Sequence, residues 1–292
     1  MPGMAGATLD STGGLPERPP IPTADVGRGP AALARGQRRG LVKTAHRPWP
    51  VPSGPWIMAQ TWLDLLFAHW RVPVEELRRV VPPALTIDTF DGTGWIGVVP
   101  FVIAGARLPY TPPVPRLSTF PELNVRTYVT VGGRPGVYFF SLDATSAPAV
   151  FATRRTYHLP YFRAAMSVRR RGEEVIYASE RRSRDGRPAG FRARYRPHGA
   201  TYSADGSPLE SFLTERYCLY ALDGRSRVHR AEIHHPPWAL RAAEADFEVN
   251  AMVRPIGIDL PGTPLLHFAE RQDALIWPLR RLEAPPRPPA AE

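Results

Sequence analysis

The clearest pattern in the chain is a pair of apolar runs joined by a glycine-rich turn. The first run spans residues 120–131, the turn contains Gly132, Gly133 and Gly136, and the second run spans residues 137–143. Both runs are rich in β-branched and aromatic residues, which favour strands, whereas glycine and proline favour turns. The pattern therefore predicts a strand, a turn and a second strand.

The first of these strands has two chemically different faces, because successive side chains of a strand point to opposite sides. One face is mainly apolar and consists of Leu123, Val125, Thr127 and Val129. The other face carries a carboxylate, an amide, a guanidinium and a phenol, from Glu122, Asn124, Arg126 and Tyr128. Such a polar face is either a solvated outer surface or the lining of a cavity, and alternation by itself favours the solvated surface.

Further short runs of the same kind fill most of the chain after residue 56. We predict strands at residues 57–70, 85–90, 95–104, 163–171, 174–182, 190–196, 215–220, 229–238, 245–252 and 264–277. Short helices are predicted at residues 73–81, 146–155 and 209–214. Many short strands with few helices indicate a mainly β fold, which we predict to be an antiparallel, closed or nearly closed barrel with helical plugs.

The two ends of the chain are rich in proline and lack a periodic apolar pattern. Residues 1–52 contain nine prolines, and segments of this composition bury too little surface to offset the entropy of ordering them. We therefore expect a disordered tail at 1–52 that is dispensable for folding. The sequence predicts a single domain at 53–283 and a second disordered tail at 284–292.

The cysteine count and the apolar runs indicate the compartment. Cys218 is the only cysteine, so an internal disulfide framework is excluded. No apolar segment follows basic residues near the N-terminus, which argues against a secretory signal. The apolar run at 57–70 is shorter than the roughly 20 residues of a membrane-spanning helix. We expect a cytoplasmic protein that does not associate with a membrane.

The formal net charge of +10 is concentrated in two segments rather than spread over the chain. Residues 1–55 carry seven basic and three acidic side chains, and residues 169–196 carry ten arginines and four acids. A nucleic-acid surface would need aromatic residues interleaved with the arginines, and few are present there. We expect no specific nucleic-acid partner, although a basic hairpin that docks on an anionic partner is a third, weaker reading.

Sites for cofactors or metals are not indicated by the sequence. No glycine-rich phosphate loop and no nucleophile elbow occurs. His229, His234 and His235 do not have the spacing of a usual metal-ligand set, and packing or turn roles are more common for such residues. We expect no cofactor and no metal.

Several longer motifs resemble a known family. The motifs include Trp-Leu-Asp-Leu-Leu-Phe-Ala-His-Trp at 62–70, Phe-Pro-Glu-Leu-Asn-Val-Arg-Thr-Tyr-Val at 120–129, Gly-Val-Tyr-Phe-Phe-Ser-Leu-Asp-Ala at 136–144, Leu-Pro-Tyr at 159–161 and Phe-Leu-Thr-Glu-Arg-Tyr at 212–217. Together they resemble the bacterial YqjF-like family, whose function is unknown and which is placed in the acetoacetate decarboxylase-like superfamily. The resemblance implies a cone-shaped β-barrel with an internal apolar cavity, and it places Glu122 inside that barrel.

The resemblance also carries expectations for individual residues. In acetoacetate decarboxylases a cavity glutamate is followed 39 residues later by the lysine that forms a Schiff base, and an arginine precedes that lysine. In this sequence Glu122 matches the glutamate, Tyr161 stands at the lysine position, and Arg154 matches the arginine. The only lysine of the chain is Lys43. A Schiff base requires an amine, so the resemblance does not extend to that chemistry.

These residues give a leading hypothesis of a small-molecule enzyme that works on a keto, enol or carboxylate substrate without a Schiff base. Glu122 would act as general acid and base, Tyr161 would polarise a carbonyl, and Arg154 or Arg126 would hold a carboxylate or enolate. The remaining candidates for substrate binding are Asn124, Tyr128 and Glu215.

Bland alternatives remain open for the same residues. Arg126 could pair with Glu122 and hold it ionised, and Tyr161 could be an ordinary buried tyrosine with a satisfied hydroxyl. Glu215 could belong to a structural ion pair. The rival to an enzyme is a non-catalytic binding protein for an apolar or aromatic small ligand in the same cavity, and a homo-oligomer is compatible with either function.

Overall fold

The structure is a computed structural model that describes residues 30–39, 43–114, 117–146, 155–182 and 187–283. Its helices are α1 Pro30–Arg39, α2 Val74–Val80 and α3 Pro208–Thr214. Its strands are β1 Met58–Val72, β2 Thr86–Ile87, β3 Gly94–Arg107, β4 Phe120–Val131, β5 Arg134–Ala144, β6 Tyr161–Arg171, β7 Glu174–Arg181, β8 Gly190–Ser203, β9 Cys218–Leu222, β10 Val228–His234, β11 Ala239–Asn250, β12 Leu265–Ile276 and β13 Arg280–Arg281.

The strands form one sheet of 13 strands that closes on itself. Following neighbours from β5 through β6, β7, β8, β11, β12, β1, β3 and β4 leads back to β5, because β4 also pairs with β5. Every neighbouring pair in this ring is antiparallel except β5 and β6, which run parallel. A ring of this kind leaves few strand edges exposed. The prediction of a mainly β, largely antiparallel fold is confirmed.

Strand β4 is buried on both faces, which answers the question left open by its alternation. Leu123, Val125 and Val129 pack into one apolar core with residues of β1 and β3. Glu122 and Asn124 are 4% and 5% exposed on the opposite face. The polar face of β4 is therefore not a solvated outer surface.

Several predicted elements differ in extent from the observed ones. The strand expected at 85–90 is only two residues long, as β2; after it the Asp88 amide still donates to the Tyr128 carbonyl of β4 at 2.9 Å, whereas Phe90 pairs with Thr93 across a turn. The strand expected at 215–220 begins only at Cys218. Most of the helix expected at 146–155 lies outside the described residues.

The basic hairpin is partly neutralised by the strand beside it. The Arg192 and Arg196 side chains on β8 pair with the Glu248 and Glu244 carboxylates on β11, at 2.7 and 2.8 Å. These pairs are exposed and contribute little stability, but they reduce the net field of this face. Among the described helices, none is both long and apolar enough to cross a membrane.

Part of the segment expected to be a disordered, dispensable tail, residues 30–39 and 43–52 of 1–52, has a defined place in the structure. Helix α1 packs on β1, β3 and β12, with Gln37 fully buried. Its amide donates to Thr61 Oγ1 at 3.2 Å and to the Gly105 carbonyl at 3.1 Å. Further along, the Arg47 guanidinium is buried and donates to Glu232 Oε2 at 3.1 Å.

The contact between α1 and the sheet could not be predicted from the sequence, for a physical reason. Apolar periodicity detects helices that dock through a hydrophobic stripe, whereas α1 docks through one leucine, Leu33, and the polar side chain of Gln37. Arg47 is likewise fixed by hydrogen bonds and an ion pair. Polar contacts of this kind leave no hydrophobic pattern to read.

We predict that the N-terminal segment stabilises the fold. Arg47→Ala should lower the free energy of unfolding by about 1–3 kcal/mol, because Glu232 loses a buried, hydrogen-bonded cation. Gln37→Ala should lower it by about 1–2 kcal/mol. Urea denaturation followed by circular dichroism measures both changes. Arg35→Ala, at an exposed position of the same helix, is the matched control and should change the value by less than about 0.5 kcal/mol. An unchanged midpoint of urea denaturation for all three variants would show that the N-terminal segment is dispensable for folding.

Candidate active site

A cavity of about 330 Å³ lies beside the polar face of β4. Its wall is largely apolar and aromatic, with Trp62, Phe101, Phe139, Leu142 and Trp238 among the lining residues. The polar groups at its surface come mainly from β4, β6 and the segment that follows α3. A largely apolar wall with a few convergent polar groups is typical of a small-molecule site.

Glu122 projects into this cavity. Its Oε2 atom accepts a hydrogen bond of 2.8 Å from the Tyr161 hydroxyl, and its backbone carbonyl accepts one of 2.8 Å from the Tyr177 hydroxyl. Burial raises the pKa of the Glu122 carboxyl to about 8; the nearby Asp143 charge adds to the increase and the Tyr161 hydrogen bond opposes it. The carboxyl is therefore mostly protonated at neutral pH.

Tyr161 reaches Glu122 because of how three strands meet. On β5, Ala144 pairs with Glu122 of β4, and Leu142 pairs with Tyr161 at the start of β6. The parallel pairing of β5 with β6 thus brings residues 39 positions apart in sequence into contact. Burial and the neighbouring Glu122 raise the pKa of the Tyr161 hydroxyl well above its ordinary value, so this tyrosine stays protonated.

An ion pair behind this junction fixes the same strands. The Arg181 guanidinium on β7 donates from Nη2 to Asp143 Oδ1 at 2.7 Å and from Nε to both carboxylate oxygens. Arg181 also lies over the Phe162 ring at 4.1 Å. Both charged side chains are almost fully buried, and removal of one partner from such a pair is strongly destabilising.

Arg126 supplies a positive charge to the cavity. Its Nη2 donates to the Leu213 carbonyl at 3.3 Å, and its guanidinium lies over the rings of Phe67 and Tyr128 at 5.2 and 5.8 Å. Within the described part of the chain it forms no ion pair with a carboxylate, and its buried Nε has no hydrogen-bond partner. The expected rival, a structural pair between Arg126 and Glu122, is not present in the structure.

The other sequence-predicted residues are divided between the cavity and its support. Asn124 lines the cavity, and its Oδ1 is buried without a hydrogen-bond partner. Tyr128 does not line the cavity; its hydroxyl donates to the Leu213 carbonyl at 2.8 Å. Glu215 lies behind the wall, where it accepts from the Trp238 amide at 2.8 Å and from the Tyr217 hydroxyl. Arg154 lies outside the described residues.

Several residues that line the cavity were not identified from the sequence, among them Arg216, His235 and Trp238. Arg216 lines the cavity with its charge already matched by Asp88 at 2.5 Å. His235 also lines it, and burial lowers the pKa of its imidazole to about 4, which keeps the ring neutral. Trp238 stacks on Trp62 at 6.0 Å, and its buried Nε1 has no partner. The motifs around Arg216 and His235 were visible, but nothing in a single sequence shows which face enters a cavity.

The structure also shows where possible metal ligands and the lysine of the chain lie. Within the described ranges, no group of three or more histidine, cysteine, aspartate or glutamate side chains is arranged to hold a metal ion. Lys43, the only lysine of the chain, is exposed and is not among the residues that line the cavity.

Sequence comparisons identify relatives over most of the chain. The model of the family DUF2071, described as "Uncharacterized conserved protein (COG2071)", matches residues 59–273. The "Uncharacterized protein YqjF" of Bacillus subtilis (strain 168) is 48% identical over 232 residues, which cover 79% of this chain and 95% of that protein.

Solved structures with the same fold are distant in sequence. The enduracididine biosynthesis enzyme MppR, complexed with pyruvate, superposes with a TM-score of 0.57 at 14% identity, over 82% of this chain and 93% of that one. Acetoacetate decarboxylase from Legionella pneumophila has a TM-score of 0.57 at 11% identity over the same shares. An acetoacetate decarboxylase-like enzyme from Sphingomonas wittichii RW1 has a TM-score of 0.55 at 15% identity, over 83% of this chain and 99% of that one. At these identities the likeness shows the fold alone.

The raised pKa of Glu122 predicts a characteristic dependence of stability on pH. The unfolded glutamate releases its proton near its ordinary pKa of 4.5, whereas the folded one keeps it until about pH 8. Between these values the folded state binds one more proton, so the free energy of unfolding of the wild type should fall relative to that of Glu122→Gln. The expected slope is about 1.4 kcal/mol per pH unit, and the difference should become constant above pH 8.

Denaturant titrations of both proteins from pH 5 to pH 9 measure this difference. Comparison with Glu122→Gln cancels the contributions of the other titrating groups. A constant difference between the two proteins over this range would show that Glu122 ionises as an ordinary glutamate.

Proposed function

Because the chain belongs to the DUF2071 family and has the acetoacetate decarboxylase-like fold, we propose that it is a small-molecule enzyme. It would transfer a proton at the carbon next to the carbonyl of a keto acid, with interconversion of keto and enolate forms. The observation that carries the proposal is a buried, protonatable carboxyl, Glu122, in the same cavity as Arg126, a cation that pairs with no carboxylate among the described residues.

Glu122 is the proton carrier in this proposal. Its carboxylate form would take a proton from the carbon beside the carbonyl; the C–H electrons become the new C=C bond, and the carbonyl electron pair moves onto oxygen. The protonated Glu122 then returns the proton to carbon. A pKa of about 8 suits both directions, since a group that titrates near the working pH can accept and release a proton readily.

Arg126 and Asn124 would bind the acid and the developing enolate. A guanidinium binds a carboxylate through charge-assisted hydrogen bonds, and the aromatic rings beneath Arg126 keep it in place. The Asn124 amide, with an unpaired buried oxygen, can turn its N–H groups toward an enolate oxygen. Stabilisation of charge that appears only in the transition state accelerates the reaction.

In this proposal Tyr161 has a role other than the polarisation of a carbonyl that was expected from the sequence. A phenol has one proton to donate, and here it is donated to Glu122. Tyr161 would therefore orient the carboxyl and stabilise its ionised form, rather than polarise the substrate carbonyl. It is a positioning residue in this mechanism.

A non-catalytic binding protein is the second candidate function. The stacked Trp62 and Trp238 rings and the apolar wall favour an aromatic or apolar ligand, and the Glu122–Tyr161 hydrogen bond could be purely structural. In that case the cavity would bind ligands without changing them.

Hydrogen–deuterium exchange separates these two functions. We expect the wild type in D₂O to exchange the C3 protons of pyruvate or phenylpyruvate, observed by proton NMR. Glu122→Gln should slow the exchange by at least about 100-fold, since the amide fills the same volume but cannot carry the proton. Glu248→Gln, which alters an exposed carboxylate of β11, is the matched control.

The pH profile of the exchange gives a second measure. The rate should rise with pH through the Glu122 pKa of about 8, where half of the carboxyl groups are ionised, and level off at higher pH. Binding of phenylpyruvate without exchange above the buffer rate, at every pH from 6 to 9, would support the binding protein instead.

A Schiff base is tested independently of the reaction. Treatment with borohydride in the presence of acetoacetate or pyruvate should leave residues 53–283 unlabelled in peptide mass spectra, because this range contains no lysine. The exposed Lys43 and the terminal amine should react only slowly, as in a denatured control. A stable adduct within residues 53–283 would require a different nucleophile and would overturn the proposed mechanism.

A further inference from the structure

A second arginine lies at the same cavity, and it too pairs with no carboxylate in the part of the chain that the structure describes. Arg107, at the end of β3, lines the cavity and is 5% exposed. Its Nε donates to Gln37 Oε1 at 2.7 Å, and its guanidinium lies over the Trp56 ring at 5.1 Å. Within the described ranges it forms no ion pair with a carboxylate. The neighbouring Arg38 adds to the positive field and, after burial, contributes to lowering the pKa of Arg107.

Arg126, Glu122 and Arg107 follow one another along the cavity, as the pairing of β3 with β4 shows. Gly97 of β3 pairs with Arg126, and Phe101 pairs with Glu122, whereas Arg107 lies six residues beyond Phe101 on the same strand. At about 3.3 Å per residue, a regular strand would separate the backbone positions of Gly97 and Arg107 by at most roughly 33 Å. The register shift between β1 and β3 near Gly105 makes the actual separation shorter. Glu122 therefore lies between two cationic ends.

The wall between Glu122 and Arg107 is apolar. It includes Trp62, Phe101, Ile103 and Phe120. A ligand that contacts both arginines must therefore place apolar atoms along this wall and charged groups at its ends. A buried cation without an anion is unfavourable, so Arg107 favours a ligand with a negative charge at this end of the cavity.

We propose that Arg107 is a second anion-binding residue of this cavity, and that its ligand is an elongated dianion, such as a dicarboxylic keto acid, with an apolar middle. This inference rests on the proposed function, which assigns the first carboxylate to Arg126 and the reacting carbon to Glu122. Arg107 then determines specificity by selecting acids with a second charge at the far end.

Helix α1 positions Arg107 for this role. Gln37 accepts from Arg107 Nε and donates to Thr61 and Gly105, which fixes its amide on the sheet. The approach of α1 depends on Gly105, whose φ of +60° suits glycine and where an added Cβ would lie 3.1 Å from Leu33 Cδ1. The helix lies outside residues 59–273, the range matched by the family model. The second anion site is thus completed by an element outside that range.

Matched diacids and their monomethyl esters test the inference, because an ester removes one charge at constant length. Isothermal titration calorimetry would measure the affinity of straight-chain α,ω-dicarboxylates of six to twelve carbons and of the corresponding monoesters. For the wild type we expect the diacid to bind at least about tenfold more tightly than its monoester once it is long enough to reach both arginines.

The variants assign this preference to Arg107. Arg107→Gln should reduce the diacid-to-monoester affinity ratio to about 1. Gln37→Ala should reduce it part of the way, a change that a purely structural loss of stability would not produce. Arg194→Gln, at an exposed position of β8, should keep the wild-type ratio. Melting temperatures of all variants confirm that each is folded.

Each contrary outcome has a definite meaning. A wild-type ratio near 1 at every length, no binding of any diacid, or a ratio that Arg107→Gln leaves intact would overturn the inference. Monoester binding that Arg126→Gln abolishes, together with a ratio near 1, would overturn the second site while leaving the first carboxylate site in place. The proposed proton transfer stands or falls separately, on the exchange experiment with pyruvate and phenylpyruvate.

Discussion

The removal of the Glu122 carboxyl from water is the constraint on which the cavity depends. An isolated carboxylate in an apolar wall is costly, and proteins usually respond by protonating the group or by pairing it with a cation. Here the cation closest along the strand, Arg126, is directed toward a backbone carbonyl and two aromatic rings, and Tyr161 gives Glu122 a neutral partner. The carboxyl thus remains able to change its charge, which a salt bridge would prevent.

This arrangement depends on the strand junction rather than on the site alone. Tyr161 meets Glu122 only because β5 pairs with β4 on one side and with β6 on the other. The buried Asp143–Arg181 pair lies at that junction and adds a negative charge near the cavity. Asp143 therefore helps to hold these strands together through Arg181, and its charge adds to the increase that burial causes in the pKa of Glu122.

The alternation of β4 and the many short strands were enough to predict the fold class. The same patterns could not show whether the polar face of β4 lies on the outer surface or in a cavity, because the alternation is identical in both settings. The resemblance to the acetoacetate decarboxylase-like superfamily was needed to favour the cavity. Arg216 and His235 were missed as lining residues because they lie in irregular segments, where no period links sequence to direction. Arg107 was not predicted as a lining residue, since it lies at the end of an apolar strand. Helix α1 was not predicted because a buried glutamine is rare as a docking residue.

The pairing of β1 with β12 also has a consequence for how the protein is made. Met58 pairs with Ile276, so the ring closes only after the chain has been made as far as β12. Strands β4, β5 and β6 are close in sequence and can meet much earlier, since short loops close at low entropic cost. During synthesis the Glu122–Tyr161 contact can form in a wet, open sheet, where the carboxyl titrates as an ordinary acid. The raised pKa of Glu122 would then be established only when β12 has joined the sheet and closed the ring.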